Sequence, residues 1–360
     1  MPVFEPPVAV ELSKFVIYIC AYKEDEILLN SAACALKLDY PVNKFHVCII
    51  ADSLRLETIE KLKRMPLQVL EVFFESSTKA KALNNAIENT IEGFDAAIVF
   101  DIDNVAKPDF LYQINNYLKS GENVVQGHRV AKNTNTPVAI LDAISEEVNN
   151  HIFRKAQRVF NLSAAIIGSG MALEYKLFKR TMSQIDAVGG FDKEMGLILT
   201  RQKVSVAYAE KAIVFDEKVS NPEVFKKQRK RWLSAQFNLL NKYGMSGIKE
   251  LITNGNFDYF NEIYQMSILP RVLMLGLMPF MLLLSIMTPG IGPSWHLWLI
   301  ATICCYAGIV VAIPIKFFND KLLGAALKLP LIFFTMFTLL FKLKGANKKF
   351  IHTPHDQTAI

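Results

Sequence analysis

The strongest constraint on the fold is an alternation. Residues 15–20 (FVIYIC), 45–51 (FHVCIIA), 69–74 and 96–100 are short runs rich in β-branched and aromatic side chains, while 24–38 and 79–91 place apolar residues at helical spacing. Strands that are apolar at nearly every position need cover on both faces, and strands alternating with helices build a parallel sheet. Right-handed crossovers then collect the strand C-termini on one edge, where such sheets bind ligands. Asp52 and Asp101 both fall on that edge. After Asp109 the pattern is helical over 110–119, extended over 123–127 and helical again over 140–160. The expected fold class is therefore α/β, with a mixed, mostly parallel sheet covered by helices on both faces.

A chain of 360 residues has room for one domain of roughly 230 residues and a remainder. That remainder is apolar: hydrophobic residues make up 51% of the chain, and their excess lies after Ile263. The expected division is an extension over 1–14, an α/β domain over 15–243 and a membrane region over 244–360. Residues 266–287 and 295–315 are each long enough to cross about 30 Å of hydrocarbon. Arg271 stands near one end of the first, where an arginine can snorkel. Lys328 and Pro330 interrupt the third apolar stretch, so 322–343 is expected to lie in the interface with 344–360 as a cytosolic tail; a third span is the alternative. The uncharged connection 288–294 and the basic stretch 316–321 put the α/β domain in the cytosol, on a multi-pass anchor in the cell (inner) membrane. Residues 1–10 lack a positive start ahead of an apolar core, so neither a signal peptide nor an N-terminal span is expected. Net charge is +6, with basic clusters at 226–231 and 342–349 beside apolar segments, which favours a phospholipid bilayer over nucleic acid as partner. The five cysteines have no metal-type spacing and read as reduced thiols, without a disulfide or a zinc site.

Few residues carry chemistry. Asp101-Ile102-Asp103 ends the fourth apolar run, and two carboxylates one residue apart at a strand tip can hold a divalent cation that takes up the charge of a diphosphate. Ala21-Tyr22-Lys23-Glu24 follows the first strand, Asp52 the second, and Lys79-Ala80-Lys81-Ala82-Leu83-Asn84 opens the second helix. Farther on stand Gln126-Gly127-His128-Arg129, Gly168-Ser169-Gly170-Met171, Gly189-Gly190-Phe191-Asp192-Lys193-Glu194 and Gln228-Arg229-Lys230-Arg231-Trp232. Phe350-Ile351-His352-Thr353-Pro354-His355 lies near the end. In this order the segments resemble those of processive family-2 inverting glycosyltransferases, the group of cellulose, chitin, hyaluronan and poly-N-acetylglucosamine synthases.

The resemblance implies a GT-A-type, Rossmann-like domain followed by C-terminal transmembrane and interfacial helices. It also implies roles. Ala21, Tyr22, Glu24, Asp52, Lys79, Asp101, Gln228, Arg231 and Thr353 would bind a UDP-sugar donor, Asp52 at the uracil and Arg231 at the pyrophosphate, for which a bidentate guanidinium is suited. Asp103, with Asp101, would hold Mg²⁺ or Mn²⁺. Gly168, Ser169 and Gly170 would let backbone approach the acceptor, a polysaccharide or a lipid-linked glycan, and Trp232 would stack on its sugar. The family's Thr-Glu-Asp, whose aspartate takes the acceptor proton, is missing. Counting without gaps from Val206-Ala207-Tyr208 puts Asp192 on the catalytic position, whereas aligning Asp-Lys-Glu locally puts Glu194 there. Asp192 is preferred, against an alternative in which it caps a helix over 193–202. A second alternative makes 224–243 an interfacial amphipathic helix with Lys226, Lys227, Arg229 and Lys230 toward lipid. The expected function is sugar transfer from UDP-sugar to a growing polysaccharide or glycolipid. Its rivals are transfer of one sugar to a lipid-linked acceptor and, motivated by the missing Thr-Glu-Asp, a subunit that binds nucleotide-sugar without turning it over.

Overall fold

In the computed structural model, which describes residues 4–91 and 93–343, the unbroken apolar run of the first strand is covered on both faces. Phe15, Ile17 and Ile19 join one core cluster and Val16 and Tyr18 another, as the two-residue side-chain period of a strand requires. Eight strands, β1 (Phe15–Tyr22), β2 (Phe45–Asp52), β3 (Gln68–Val72), β4 (Ala96–Phe100), β5 (Val105–Ala106), β6 (Val124–Ala131), β7 (Met171–Glu174) and β8 (Ala207–Asp216), form an 8-stranded sheet in the order β3-β2-β1-β4-β7-β6-β8-β5. β1 runs parallel to β2 and β4, β2 to β3, and β6 to β8. β7 is antiparallel to both of its neighbours, and β5 to β8.

One face carries α1 (Asp25–Leu36) and α4 (Phe110–Lys119), through Leu28, Ala32, Phe110 and Ile114. The other carries α3 (Lys79–Asn89), α7 (Tyr175–Met182) and α8 (Phe191–Arg201), through Leu83, Ala86, Phe178, Met195 and Leu199. α2 (Leu56–Lys63) precedes β3, and α5 (Pro137–Asn149) continues as a π-helical turn, Asn150–Lys155, into α6 (Ala156–Val159). The chain steps outward from β1 to β2 to β3 and then returns to lay β4 on the other side of β1, so the strand order reverses there. The crevice this opens at the carboxyl ends of β1, β2 and β4 receives Tyr22, Asp52 and Asp101.

α9 (Pro222–Asn254) has 33 residues and runs on past residue 243. Asn221 caps it by accepting from the Glu223 and Val224 amides, Pro222 fills its first turn, and Gly255 ends it in the left-handed conformation. Five apolar helices follow or flank it: α10 (Phe257–Ser267), α11 (Arg271–Met287), α12 (Trp295–Ala312), α13 (Asp320–Ala326) and α14 (Leu329–Leu340).

Two C-terminal segments, Trp295–Ala312 and Asp320–Leu340, are long and apolar enough to cross a membrane, and α10 with α11 forms a pair bent by 73°. The stretch expected as a span over 266–287 is thus bent near its start, because Pro270 disfavours helical backbone in the residue before it and opens a new helix instead. Conversely, Pro330 does not shorten the third stretch: it occupies the first turn of α14, where proline costs no hydrogen bond. Two apolar clusters tie these helices to the sheet domain. Ile140, Ala143 and Ile144 of α5 pack with Ala312, Phe317 and Ala325, and Leu233 of α9 packs with Leu273, Met336 and Leu339.

Candidate active site

A cavity of about 970 Å³ opens along the carboxyl edge of the sheet and runs to the C-terminal helices. Ala21, Tyr22, Glu24, Asp52, Lys79, Asp101, Asp103, Gly168, Asp192, Gln228, Arg231 and Trp232 all line it. Asp52 is buried at the tip of β2, where its carboxylate accepts from Ser53 Oγ at 2.9 Å. The chain turns there in an unusual way: Lys23 and Ser53, just past β1 and β2, have φ of 57° and 58°, in the left-handed region that costs residues with a side chain about 1 kcal/mol or more.

Asp101, Asp103 and Asp216 form the centre, with one carboxylate oxygen from each lying within 4.8 Å of the others. Pairing of β5 with β8 brings Asp216, the last residue of β8, beside the turn that follows β4. Asn104 holds the cluster in shape: its amide donates to Asp216 at 3.2 Å and Asp103 at 3.4 Å, and its oxygen accepts from the Asp101 amide at 3.0 Å. The Glu217 amide donates to Asp103 at 2.7 Å. Asp216 was not among the residues selected from the sequence. A signal existed, because Ala97-Ile98-Val99-Phe100-Asp101 recurs letter for letter as Ala212-Ile213-Val214-Phe215-Asp216.

Cations surround the cluster. Lys79 donates to Asp101 and to the Gly168 carbonyl at 2.7 Å. Lys218 donates to Asp216 at 2.7 Å, and Arg129 stands 3.7 Å from the same carboxylate. Behind them, Glu146 accepts from Arg129 at 2.9 Å and Arg154 at 3.2 Å. Burial alone would push the Glu146 carboxyl up, but Arg129, Lys218 and Arg154 outweigh it and hold the group well below the usual carboxylate range. Burial likewise pulls Lys79 and Lys218 down, and the neighbouring carboxylates, Asp101 for one and Asp216 with Glu146 for the other, turn the balance upward. The network is charged and internally matched. Three hard oxygen donors in such a frame fit a divalent cation.

Asp192 and Glu194 diverge. Gly190, with φ of 77°, starts α8, so Asp192 lies in the first turn rather than at the cap, which corrects the capping alternative. Asp192 faces the cavity beside Lys79, Arg231 and Lys193; burial pulls all three down, and the charge of Asp192 opposes that pull without reversing it at Arg231 and Lys193. Glu194 is not in the cavity wall: it is buried against α9, accepting from Lys242 Nζ at 2.6 Å and the Tyr243 hydroxyl at 2.7 Å. Arg231 reaches the cavity from α9; burial pulls its guanidinium below the ordinary arginine range, against the opposing pull of Asp101 and Asp192.

The small-residue turn splits. Gly168 has φ of 75°, and a Cβ there would stand 3.2 Å from the Asp192 side chain, so only glycine leaves room beside that carboxylate. Ser169 and Gly170 do not line the cavity. Ser169 is buried beside Arg129 at 3.4 Å, and Gly170 exchanges backbone bonds with Val99 and Gly127. Gln126 fastens the turn: its amide donates to the Ser169 and Gly170 carbonyls at 3.0 and 3.2 Å while its oxygen accepts from the Ile167 amide. Arg229, expected toward lipid, instead pairs with Asp142 and lies 4.3 Å over the Trp232 ring. Thr353 lies outside the described residues, as does the tail expected over 344–360.

Residues 13–235 match the family described as "Glycosyltransferase like family 2". Among solved structures, mannosyltransferase PcManGT from Pyrobaculum calidifontis, in complex with GDP-Man and Mn²⁺, is similar with a TM-score of 0.55 and 13% identity, covering 94% of this chain and 88% of that one. Glucosyl-3-phosphoglycerate synthase from Mycobacterium tuberculosis, in complex with Mn²⁺, UDP and phosphoglyceric acid, gives a TM-score of 0.44 and 12% identity, covering 62% of this chain and 77% of that one. No curated protein matches. The likeness to the mannosyltransferase shows a GT-A-like fold.

Proposed function

Because the chain belongs to glycosyltransferase-like family 2 through residues 13–235, we propose that it is a membrane-bound inverting hexosyltransferase, moving sugar from a UDP-sugar to a growing polysaccharide or a glycolipid. One observation carries this reading: Asp103, Asp192 and Arg231, distant in sequence, line a single cavity.

Asp101, Asp103 and Asp216 would hold Mg²⁺ or Mn²⁺, which when bound supplies positive charge to the departing diphosphate. Asp52 would take the uracil and Arg231 the pyrophosphate. The acceptor hydroxyl would approach through the gap that Gly168 leaves beside Asp192 and surrender its proton there as its oxygen attacks the anomeric carbon. Glu194 is set aside as the base, since its carboxylate is held by Lys242 and Tyr243. Trp232, exposed on the cavity rim, would stack on the acceptor.

The anchor is read as multi-pass in the cell membrane, with the sheet domain cytosolic. Crossing by Trp295–Ala312 and Asp320–Leu340 alone returns the chain to the side it started from. A reporter fused to the C-terminus and active only outside the cytosol would contradict that. Function is tested by nucleotide release from UDP-Glc, UDP-GlcNAc, UDP-GlcA and UDP-Gal in nanodiscs, with and without Mn²⁺. We expect turnover with one of them, metal-dependent and lost in Asp103→Asn. Binding of every donor with turnover of none would overturn catalysis in favour of a nucleotide-sugar-binding subunit.

A further inference from the structure

Resting on that transferase reading, we infer that the acceptor is an anionic amphiphile: a lipid whose phosphate-bearing head is held by Arg271 and whose chain lies along the apolar far wall of the cavity.

The cavity changes character along its length. Near the sheet its wall is charged, but Leu275 of α11, Ile309 of α12, Leu322 of α13 and Met336 of α14 close its other end. A soluble glycan has nothing to gain from such a wall, whereas an acyl or prenyl chain does. Arg271 stands at the boundary. Expected to snorkel outward, it turns inward where Pro270 starts the new helix: Nη2 donates to the Ser145 carbonyl at 3.0 Å and hydroxyl at 3.1 Å, and the guanidinium lies 5.7 Å from the Phe153 ring centre. Nη1 is buried without a hydrogen-bond partner, and no carboxylate pairs with Arg271 among the described residues.

The contrast with neighbouring arginines gives this weight. Arg129 and Arg154 share Glu146, and Arg229 has Asp142. A buried guanidinium without a counter-ion is unfavourable until an anion arrives. Three further N–H groups of the same cavity wall, Arg129 Nε, Arg229 Nε and Gln265 Nε2, are also buried without hydrogen-bond partners among the described residues, against one such acceptor, Gln228 Oε1, which the lipid's hydroxyl could meet. A neutral sugar brings donors and acceptors together; a phosphate brings acceptor oxygens, which such a set of donors suits. In the transfer itself the lipid's hydroxyl oxygen bonds to the anomeric carbon and its proton passes to Asp192. The bond from that carbon to the leaving phosphate oxygen breaks, its electron pair departing with UDP. The head phosphate stays bound and unreacted.

The test uses the full chain in phosphatidylcholine nanodiscs. Binding of hexadecyl phosphate is compared with that of hexadecanol, and transfer to phosphatidylglycerol, which has a phosphate and free hydroxyls, with transfer to diacylglycerol and to a soluble oligosaccharide. We expect at least a tenfold preference for the phosphate compound in binding, falling to none in Arg271→Gln and part-retained in Arg271→Lys, and faster transfer to phosphatidylglycerol than to diacylglycerol. Equal binding of phosphate and alcohol, or the oligosaccharide as best acceptor, overturns the assignment; the wild-type preferences decide this even if Arg271→Gln fails to fold. Donor hydrolysis without acceptor, read in the same discs, separates the two levels. Hydrolysis with no phosphate preference sinks only the acceptor class, while absence of any donor turnover sinks the transferase reading and this inference with it.

Discussion

The two ends of the cavity treat buried charge in opposite ways. Around the carboxylate cluster, Asp101, Asp216 and Glu146 have Lys79, Lys218, Arg129 and Arg154 within bonding or ion-pair distance. At the C-terminal helices, Arg271 meets Ser145 and a ring face and, among the described residues, pairs with no carboxylate. The fold itself balances the first end, so its geometry is held before any ligand arrives, and that is the condition under which fixed charges stabilise a transition state. The second end has an apolar wall and one charge short of balance, as suits a site that a mobile amphiphile enters and leaves.

The sharpest way to break this comparison is at Asp192. Asp192→Asn should lower sugar transfer by about 10²–10⁴-fold, the usual worth of a general base, whereas Glu194→Gln should keep transfer within about 10-fold of wild type. Equal losses in steady-state assays of the two would contradict the assignment. Next comes Glu146→Gln, which leaves two buried guanidiniums and Lys218 with less counter-charge. It should cost about 3–5 kcal/mol of stability, read as a lower midpoint in thermal unfolding, and an unchanged midpoint would mean the network is not balanced as described. Arg231→Lys keeps the charge but loses the fork, and about a 10²-fold loss of transfer with membrane association intact is expected. Sedimentation with membranes alongside the rate measurement checks both halves.

The smallest effect concerns pH. Burial pushes Glu147 up, but His128 at 2.9 Å and Lys316 at 3.1 Å prevail and hold it at about 2, below the ordinary 4.5. A carboxyl depressed on folding adds stability above its unfolded value and loses it as pH falls from about 4.5 through about 2. Unfolding midpoints in that window should fall less in Glu147→Gln than in wild type.

Much of this was legible in the chain because it depends on local pattern. The apolar runs gave the strands, their tips gave Asp52 and Asp101, and uncommon residue types at one spacing gave Gln228, Arg231 and Trp232. What escaped depends on contacts between distant segments. Asp216 enters the cluster only through the β5–β8 pairing, although its repeated pentapeptide announced it. Asp192 and Glu194 are two positions apart on a helix of 3.6 residues per turn, hence on opposite faces, so placing Asp192 toward the cavity sends Glu194 away from it. Arg271 and Arg229 were read by their position beside apolar segments, yet a bend at Pro270 and an aspartate on α5 redirect them inward.

α9 is one unbroken rod of 33 residues, about 50 Å long at 1.5 Å per residue. It presents Arg231 to the cavity and, two positions on, inserts Leu233 among Leu273, Met336 and Leu339 of the hydrophobic helices. No hinge separates the two contacts. On the proposed reading, sideways displacement of α11 or α14 would carry Arg231 along with it, and bilayer thickness would then bear on the chamber from which the diphosphate leaves. Transfer rates in discs of graded acyl length would record that mechanical link.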